Sequence, residues 1–415
     1  MRIGMILDHE FPPDIRVENE IIALKNAGFD VYILSLNFGL MPTIDDFHGA
    51  KVIRIKANEY LIKKMRALTN TIFNFYPHYW SKKIVKFIKE NKIDVLHVHD
   101  LYMFGAAFLA NKSYNLPVVG DLHENYPAAI KSYNWANSLL GKILVCQDRW
   151  RRLEKIYLTQ VDEVIVLSET FRNILLKKYD FLKKKNIIIY PNVPNVSELL
   201  TYKIDKNILE KKDSFIIFYF GVIAERRGIF TCFEALKILN KEIKNIKLLL
   251  IGPVDKADRP LFKCYLNDAQ IKDSIIFYSW KNINLLPSYI KICDVCISPI
   301  LKNEQHESGV ANKVFQYMLF EKPVLVSNCI PQQEIINEEN CGLVFSSGDA
   351  KDLSEKIIQL YENPKLRIQM GDNGKKAVLE KYNWENTSKN LIELYKKIEK
   401  IKMNSVSQNQ KGKYF

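Results

Sequence analysis

Two strand-to-helix turns in the second half of the chain carry the residue types that bind phosphate groups. In the first turn an apolar run ends at Gly221, and Arg226 and Arg227 precede a predicted helix. Two guanidinium groups beside the start of a helix can hold a diphosphate through paired hydrogen bonds and the positive end of the helix dipole. The alternative is an ordinary turn that exposes two arginines to solvent.

The second turn, residues 298–313, precedes a helix predicted from Val314 to Phe320. The start of a helix offers free N–H groups to a phosphate, and Lys313 adds a positive charge. Gln316, one turn inside the helix, can bond a ribose hydroxyl. The residues assigned to this phosphate site are Ser308, Gly309, Val310, Lys313 and Gln316. The alternative is that Ser308 serves only as the helix N-cap.

Polar side chains also follow strands in the first half of the chain. His99 and Asp100 end one predicted strand, His123 follows the next, and Arg16 lies in the loop after the first strand. A histidine at the carboxyl end of a strand can position a sugar hydroxyl or transfer a proton. A lone histidine is more often structural, and that alternative stays open for His123.

Short apolar runs that alternate with helical patterns position all of these turns. The predicted strands are residues 2–7, 31–36, 52–55, 95–98, 117–121, 163–167 and 187–190, and then residues 215–220, 247–251, 275–278, 295–299, 323–327 and 342–345. Continuous apolar strands joined by helices indicate parallel, doubly wound sheets. The predicted fold class is therefore α/β, with two Rossmann-like domains whose strand ends face a central cleft.

The domain boundaries follow from length and local composition. A chain of 415 residues exceeds what one hydrophobic core usually serves, and a polar, lysine-rich stretch separates the two series of strands. We predict an amino-terminal domain over residues 1–195 and a carboxyl-terminal domain over residues 214–382. A helix over residues 383–402 is expected to pack back on the amino-terminal domain, and residues 403–415 are expected to form a flexible tail.

Composition favours a globular protein of the cytoplasm. Hydrophobic residues make up 47% of the chain, the amino terminus lacks the pattern of a secretory signal, and the longest apolar run elsewhere has about ten residues. The seven cysteines are odd in number and scattered, which suits a reducing compartment. Cys293 and Cys296 have the spacing of a metal or redox pair, but they border a buried strand, so core packing is the preferred interpretation.

The net charge of +13 predicts an acidic partner. Nucleic acid is not expected, because the chain has no zinc-finger spacing and no aromatic-glycine RNA-binding signature. Residues 51–92 are basic and rich in aromatic residues, and four apolar positions there share one helical face: Trp80, Ile84, Phe87 and Ile88. Two interpretations stay open: a helix on an anionic membrane surface, at the inner face of the cell membrane, or a helix that faces the core.

The ordered set of motifs resembles glycosyltransferase family 4, whose members have the GT-B fold. The resemblance is carried by PPDIRV at residues 12–17, HVHD at residues 97–100, DEVIVLS at residues 162–168, Gly221 with Arg227-Gly228, and NKVFQYM at residues 312–318 with Lys322-Pro-Val324. It covers nearly the whole chain.

The resemblance implies transfer of a sugar from a nucleotide sugar, with UDP the expected nucleotide, to a glycan or lipid-linked acceptor with retention of configuration. It implies no metal and no cofactor, and the chain has no Asp-x-Asp pair to bridge a diphosphate to a metal ion. The carboxyl-terminal domain would bind the donor and the amino-terminal domain the acceptor, with Arg16, His99 and Asp100 assigned to the acceptor. Arg227 matches the residue that neutralises the leaving diphosphate, and His123 matches the histidine near the transferred sugar.

Two positions depart from the family pattern. Members carry two glutamates eight residues apart, where this chain has Ser308 and Gln316, with Glu307 one residue out of register. Val222 stands where an arginine is common. These departures keep two alternatives open, a non-catalytic partner subunit and a sugar-nucleotide epimerase on the same fold.

Overall fold

The chain folds into two compact units. A computed structural model describes residues 1–69, 74–132, 147–208 and 214–411. Unit 1 comprises Met1–Pro191 and Thr387–Phe415, and unit 2 comprises Asn192–Asn386. Residues 209–213 of the predicted linker, residues 70–73 of the basic segment and residues 412–415 of the predicted tail lie outside the described ranges.

Unit 1 is built on an eight-stranded sheet. In chain order its strands are β1 (Arg2–Glu10), β2 (Asp30–Asn37), β3 (Ile44–Phe47), β4 (Ala50–Lys56), β5 (Val95–His99), β6 (Val118–Asp121), β7 (Glu163–Val166) and β8 (Ile187–Ile189). The spatial order is β3-β4-β2-β1-β5-β6-β7-β8, and only the β3–β4 pair is antiparallel. The predicted parallel sheet is confirmed, except that β3 was missed because this strand has only four residues, IDDF, and two of them are aspartates.

Apolar residues cover both faces of this sheet. Ile3, Met5 and Leu7 of β1 point into one core, whereas Ile6 belongs to the core on the opposite face. The helices of the unit are α1 (Ile15–Asn26), α2 (Glu59–Thr69), α3 (Phe75–Asn91), α4 (Leu101–Asn111), α5 (Tyr126–Ser132), α6 (Gln147–Gln160) and α7 (Glu169–Lys178).

Helix α3 settles the orientation of the aromatic face in the basic segment. Trp80, Ile84, Phe87 and Ile88 are all buried in the core of unit 1. The lysines on the other face, at positions 82, 83, 86 and 89, are exposed. The interpretation in which these apolar side chains lie on a membrane is therefore wrong, because the same side chains pack against the sheet.

Unit 2 repeats the architecture with six parallel strands. They are β9 (Phe215–Phe220), β10 (Ile246–Ile251), β11 (Ile275–Tyr278), β12 (Val295–Ser298), β13 (Val324–Ser327) and β14 (Gly342–Phe345), in the order β11-β10-β9-β12-β13-β14. Its helices are α8 (Val196–Thr201), α9 (Ile229–Glu242), α10 (Arg259–Leu266), α11 (Leu286–Ile292), α12 (Asn312–Leu319), α13 (Ile330–Glu339), α14 (Ala350–Glu362) and α15 (Pro364–Glu380). Cys293 and Cys296 lie in the core of this unit, so the core-packing interpretation holds.

The last helix, α16 (Trp384–Lys411), leaves unit 2 and completes unit 1. Its side chains Leu391, Leu394, Tyr395 and Ile398 pack in the same core as β1 and α1. The helix continues to Lys411, into the stretch from residue 403 that was predicted to be a flexible tail. No glycine or proline interrupts the helical part of this stretch, so nothing in it stops helix propagation.

In both units the first strand lies in the interior of the sheet. The chain builds strands on one side of β1 and then on the other, and it does the same around β9. Ligands of doubly wound sheets bind at the carboxyl ends of strands at this switch point. The positions to inspect are therefore the ends of β1, β5 and β6 in unit 1, and the ends of β9 and β12 in unit 2. Within the described ranges, no helix is long and apolar enough to cross a bilayer.

Candidate functional site

His123 lies at the carboxyl end of β6, where buried polar groups hold one edge of its ring. Its Nε2 is 3.0 Å from Oδ2 of Asp121 and 2.9 Å from Nδ1 of His99. The side chain is 17% exposed, whereas that of Asp121 is 0% exposed. Nε2 is thus directed into the protein, which leaves Nδ1 as the nitrogen that a ligand can reach.

Carboxylates hold His123 in its charged form. Burial disfavours the imidazolium, but the charges of Asp121 and Asp100 outweigh this effect and raise the pKa of His123 to about 9. At neutral pH the residue is therefore a hydrogen-bond donor and a positive charge. It is not a base in this state.

Asp14 and His9 form a second polar pair in the same region. Asp14 is the N-cap of α1, where it accepts from the backbone N–H groups of Arg16 and Val17, and its Oδ2 is 3.1 Å from Nε2 of His9. Burial works against ionisation of Asp14, but the bond to His9 and the charge of His123 hold its pKa well below the usual range. The start of α1 therefore contributes a fixed negative charge beside His123.

Asp100, a predicted acceptor residue, occupies a strained turn between β5 and α4. Its φ of 65° is unusual for a residue other than glycine, and such strain is concentrated at functional positions. The hydroxyl of Tyr102 lies 2.8 Å from Oδ2 of Asp100 and 2.9 Å from Oδ1 of Asp8. Asp8 also accepts from Arg66 and from Tyr76, at 2.8 Å each, so a hydrogen-bonded frame supports this turn.

Arg16 and His99, which were predicted to bind the acceptor, are both buried. Arg16 is 7% exposed, and its guanidinium donates to both oxygens of Asp121 and to the carbonyl of Tyr190. His99 is 1% exposed and reaches His123 through Nδ1. Both side chains are therefore inside unit 1, in contact with Asp121 and His123, and their assignment to the acceptor stays a prediction.

The same interior holds the four groups best placed to bind a metal within the described ranges. Ligand atoms of Glu20, His97, His99 and Asp121 all lie within 4.8 Å of one another. The guanidinium of Arg16, however, is 2.6 Å from Asp121 and 3.3 Å from Glu20. The positive charge that a metal would bring to these carboxylates is therefore already supplied by an arginine.

In unit 2 the two predicted phosphate turns contact each other. Residues 225–227 form one short helical turn after β9, and the carbonyl of Arg226 accepts a 3.1 Å hydrogen bond from the backbone of Leu301. Gly228, with φ of +72°, is then the N-cap of α9. Arg226 and Arg227 are both partly exposed. The turn after β9 is therefore fixed against the turn after β12.

Lys313 brings a third basic side chain to this place. Its Nζ lies 3.8 Å from the centre of the Tyr219 ring, and a Cβ on Gly221 would come within 2.7 Å of the same atom. Burial, together with the charge of Arg227, lowers the pKa of Lys313 well below its ordinary value. A lysine that is costly to charge in the free protein is well suited to receive an anion.

His306 also belongs to this group and was not found from the sequence. Its Nδ1 is 2.6 Å from the carbonyl of Leu301, so Nδ1 carries the ring proton. Burial lowers the pKa of His306 to about 4, and the charges of Arg227 and Arg226 act in the same direction. The only local signal was its position in the turn after β12, which does not separate it from its neighbours.

The remaining predicted donor residues fall in two places. Helix α12 begins at Asn312 with Ala311 as its N-cap, so Ser308 is not the cap, and its hydroxyl donates instead to the carbonyl of Gln305. Gly309 and Val310 form the extended stretch that leads into α12, and Gln316 is buried within that helix. Glu307 accepts from the backbone N–H of Ile330 at 3.0 Å, so it is used to anchor the start of α13.

Gly228 is expected to tolerate no side chain. A Cβ there would lie 1.7 Å from the carbonyl oxygen of Pro299, so Gly228→Ala must push the two turns apart at a cost of about 3 kcal/mol or more. Gly28→Ala is the matched control, because φ is +88° but no atom lies within 4 Å, leaving only backbone strain of about 1–2 kcal/mol. Thermal unfolding should show a much larger loss for Gly228→Ala. Equal losses would mean that the two turns are not packed as described.

Comparison with known proteins agrees with this architecture. A family model for glycosyl transferases group 1 matches residues 201–377, and one for glycosyltransferase family 4 matches residues 15–195. The capsular polysaccharide biosynthesis glycosyltransferase CapM of Staphylococcus aureus is 26% identical over 252 residues, which is 56% of this chain and 62% of CapM. The chain therefore spans less than two thirds of that relative.

Solved structures show the same fold along nearly the whole chain. Sucrose-phosphate synthase of Thermosynechococcus elongatus superposes with a TM-score of 0.75 at 18% identity, covering 96% of this chain and 98% of the synthase. HepE of Anabaena, solved in complex with UDP-glucose, superposes with a TM-score of 0.71 at 13% identity. The match covers 96% of this chain and 100% of HepE. With each half matched by its own family model, the chain belongs to the family 4-like glycosyltransferases with the GT-B fold.

Proposed function

We propose that this protein transfers a sugar from a nucleotide sugar, most simply a UDP-sugar, to a glycan or lipid-linked acceptor with retention of configuration. The observation that carries the proposal is the cluster of Arg226, Arg227 and Lys313 at the switch point of the unit 2 sheet. Three basic residues beside the starts of α9 and α12 suit a diphosphate in charge and in donor geometry. HepE, which has the same fold, was solved with UDP-glucose, and this supports the same class of donor here.

The chemistry required of such a site is stabilisation of a leaving group. When the bond between the anomeric carbon and the diphosphate breaks, negative charge develops on the phosphate oxygen. Arg227 and Lys313 would neutralise that charge from fixed positions, and fixed charges act more strongly in a partly desolvated site than in water. No metal ion or other cofactor is needed for this step in our proposal, because the protein itself supplies the positive charge.

Unit 1 would hold the acceptor and contact the transferred sugar. His123 offers a charged N–H donor at Nδ1, and Asp100 offers a carboxyl group in the neighbouring turn. Sugar hydroxyls both donate and accept hydrogen bonds, so a donor and an acceptor side by side suit them. We assign Asp100 to the acceptor, and we assign Arg16 and His99 to the support of His123.

The biological setting we propose is synthesis of a cell-surface polysaccharide at the inner face of the cell membrane. The name of CapM, a capsular polysaccharide glycosyltransferase, supports the pathway. Since the apolar face of α3 is buried, membrane contact would rest on its exposed lysines and on Tyr60 and Leu61 of α2, which are 64% and 56% exposed.

Binding to anionic vesicles should then weaken as the salt concentration rises. Binding that does not depend on the salt concentration would contradict this membrane contact.

A thermal-shift screen over UDP- and GDP-sugars tests the donor. A ligand that binds only the folded protein raises the melting temperature by mass action, so one nucleotide class should raise it by several degrees at saturation. The shift should be lost in Arg227→Ala and kept in Lys291→Ala, a change at an exposed lysine of the same unit. A chain whose melting temperature responds to no nucleotide would contradict the proposal.

Binding of UDP is expected to take up a proton at pH values between the pKa of Lys313 in the free protein and its higher pKa in the complex. Lys313 has a lowered pKa in the free protein, and a bound diphosphate raises it again, so part of the lysine population becomes charged on binding. Isothermal titration calorimetry in buffers with different ionisation enthalpies should therefore give different apparent enthalpies. Lys313→Met should abolish this buffer dependence, and an unchanged dependence in that variant would assign the proton elsewhere.

A further inference from the structure

The proton positions around His123 follow from its contacts. Asp121 can only accept when ionised, so the 3.0 Å contact requires the proton on Nε2 of His123. His99 meets the same Nε2 at 2.9 Å through Nδ1, which must then be the acceptor nitrogen of His99. The proton of His99 is consequently on Nε2, which points toward Glu20 at 3.9 Å. One carboxylate thus fixes the ring orientation of His123 and, through it, the tautomer of His99.

Asp121 is itself held rigidly. Arg16 binds it through Nε at 3.0 Å and through Nη2 at 2.6 Å, a paired geometry that fixes both the position and the plane of the carboxylate. Arg16 is anchored in turn by the carbonyl of Tyr190 and by Glu20. The chain of contacts therefore runs from the body of unit 1 to the one ring edge of His123 that faces inward.

We propose that Asp121, supported by Arg16 and His99, is the positioning residue that keeps Nε2 of His123 turned inward and its Nδ1–H turned outward. Asp121 is 0% exposed, so it acts through His123 and touches no substrate. The inference rests on the proposed function, because Nδ1–H is the group that would contact the transferred sugar. It reassigns Arg16 and His99 from the acceptor to this support.

The other ionisable groups that face His123 either also favour its imidazolium form or affect its pKa less than Asp121 does. The ionisable residues that interact with it come from the start of α1, from β5 and the turn after it, and from β6: Asp14, Arg16, Glu20, His97, His99, Asp100 and Asp121. Four of these are carboxyl groups and one is a permanent cation, so the surroundings favour the imidazolium. Asp121 is the carboxylate in direct contact with the ring, and its replacement should have the largest effect.

Asp121→Asn tests the proposal without any enzymatic assay. An amide keeps the size of the side chain but removes its charge, so the pKa of His123 should fall from about 9 towards or below the ordinary value of histidine. Titration of the histidine ring ¹⁵N signals by NMR measures this, and it also shows which nitrogen of His123 and His99 holds the proton. Asp94→Asn is the matched control, since Asp94 binds the backbone N–H of Arg2 in the same unit.

Kinetics separates positioning from a merely structural role. If a donor is turned over, Asp121→Asn should lower kcat with little change in the KM for the donor, and the fall of kcat at alkaline pH should begin at lower pH than in the parent protein. A merely structural aspartate would lower the melting temperature and leave the pH profile in place. A His123 titration that is unchanged in Asp121→Asn would overturn the proposal, even if the protein proved to use no nucleotide sugar.

Discussion

Replacing Arg227 with alanine is expected to lower kcat/KM for the donor by about 10²- to 10³-fold, the usual effect of removing one fixed donor from a developing charge. The charge of Arg227 lowers the pKa of both Lys313 and His306, so Arg227 lies at the centre of the basic cluster in unit 2. Part of the loss should appear as weaker UDP binding and part as a lower kcat, because the leaving diphosphate carries more charge than the bound sugar nucleotide. Initial-rate kinetics together with calorimetric UDP binding measures both parts.

Two further variants show whether the effect belongs to this position. Arg226→Ala removes the adjacent guanidinium, which lowers the pKa of His306 less than Arg227 does. The loss of kcat/KM in this variant should therefore be smaller. Lys291→Ala removes an exposed positive charge elsewhere in unit 2 and should change neither parameter. Equal losses in all three variants would indicate a general effect of net charge and would contradict the assignment of Arg227.

His123→Ala is expected to reduce kcat by about 10²- to 10³-fold, the usual effect of removing one fixed hydrogen-bond donor from a reaction centre. UDP binding should stay close to that of the parent protein, because the basic cluster belongs to unit 2 and His123 to unit 1. The fold should survive, since Arg16 continues to neutralise Asp121. The measurement is kcat and UDP affinity on the same preparation.

The control for His123 is His78→Ala, a change at an exposed histidine of α3 in the same unit. It should leave kcat unchanged. A His123→Ala protein that keeps full turnover would show that the imidazolium is structural. A variant that loses UDP affinity and melting temperature together would point to misfolding, which the melting curve reveals.

The fold was predictable because it depends on long apolar runs. Each predicted strand from Arg2 to Phe345 lies within a few residues of an observed one, since buried parallel strands must be apolar on both faces. The element that was missed, β3, is an edge strand and carries two aspartates, so no apolar pattern marks it. The environment of the apolar face of α3 was ambiguous because the same apolar stripe is expected for a helix that packs on a core and for one that lies on a membrane. Only the packing in the structure distinguishes the two.

Residues of the candidate site could be predicted only where a basic residue or a histidine follows the end of a predicted strand. Arg227 and Lys313 lie in the connections that follow β9 and β12, at the switch point of the unit 2 sheet, and His123 follows β6 in unit 1. Asp121 was visible two residues before His123, but its role depends on Arg16, which is 105 positions away in sequence. His306 was missed for the same reason, since its pKa and its contacts arise from the fold and leave no trace in local spacing.

Turnover of a nucleotide sugar tests the central claim most directly. The purified protein is incubated with a panel of UDP- and GDP-sugars, with and without a polyprenyl-phosphate-linked acceptor, and release of the nucleoside diphosphate is followed in the presence of EDTA. We expect release from at least one UDP-sugar, unaffected by EDTA and lost in Arg227→Ala. Failure to release a nucleoside diphosphate from any sugar nucleotide, by a protein that also binds none of them, would contradict the account.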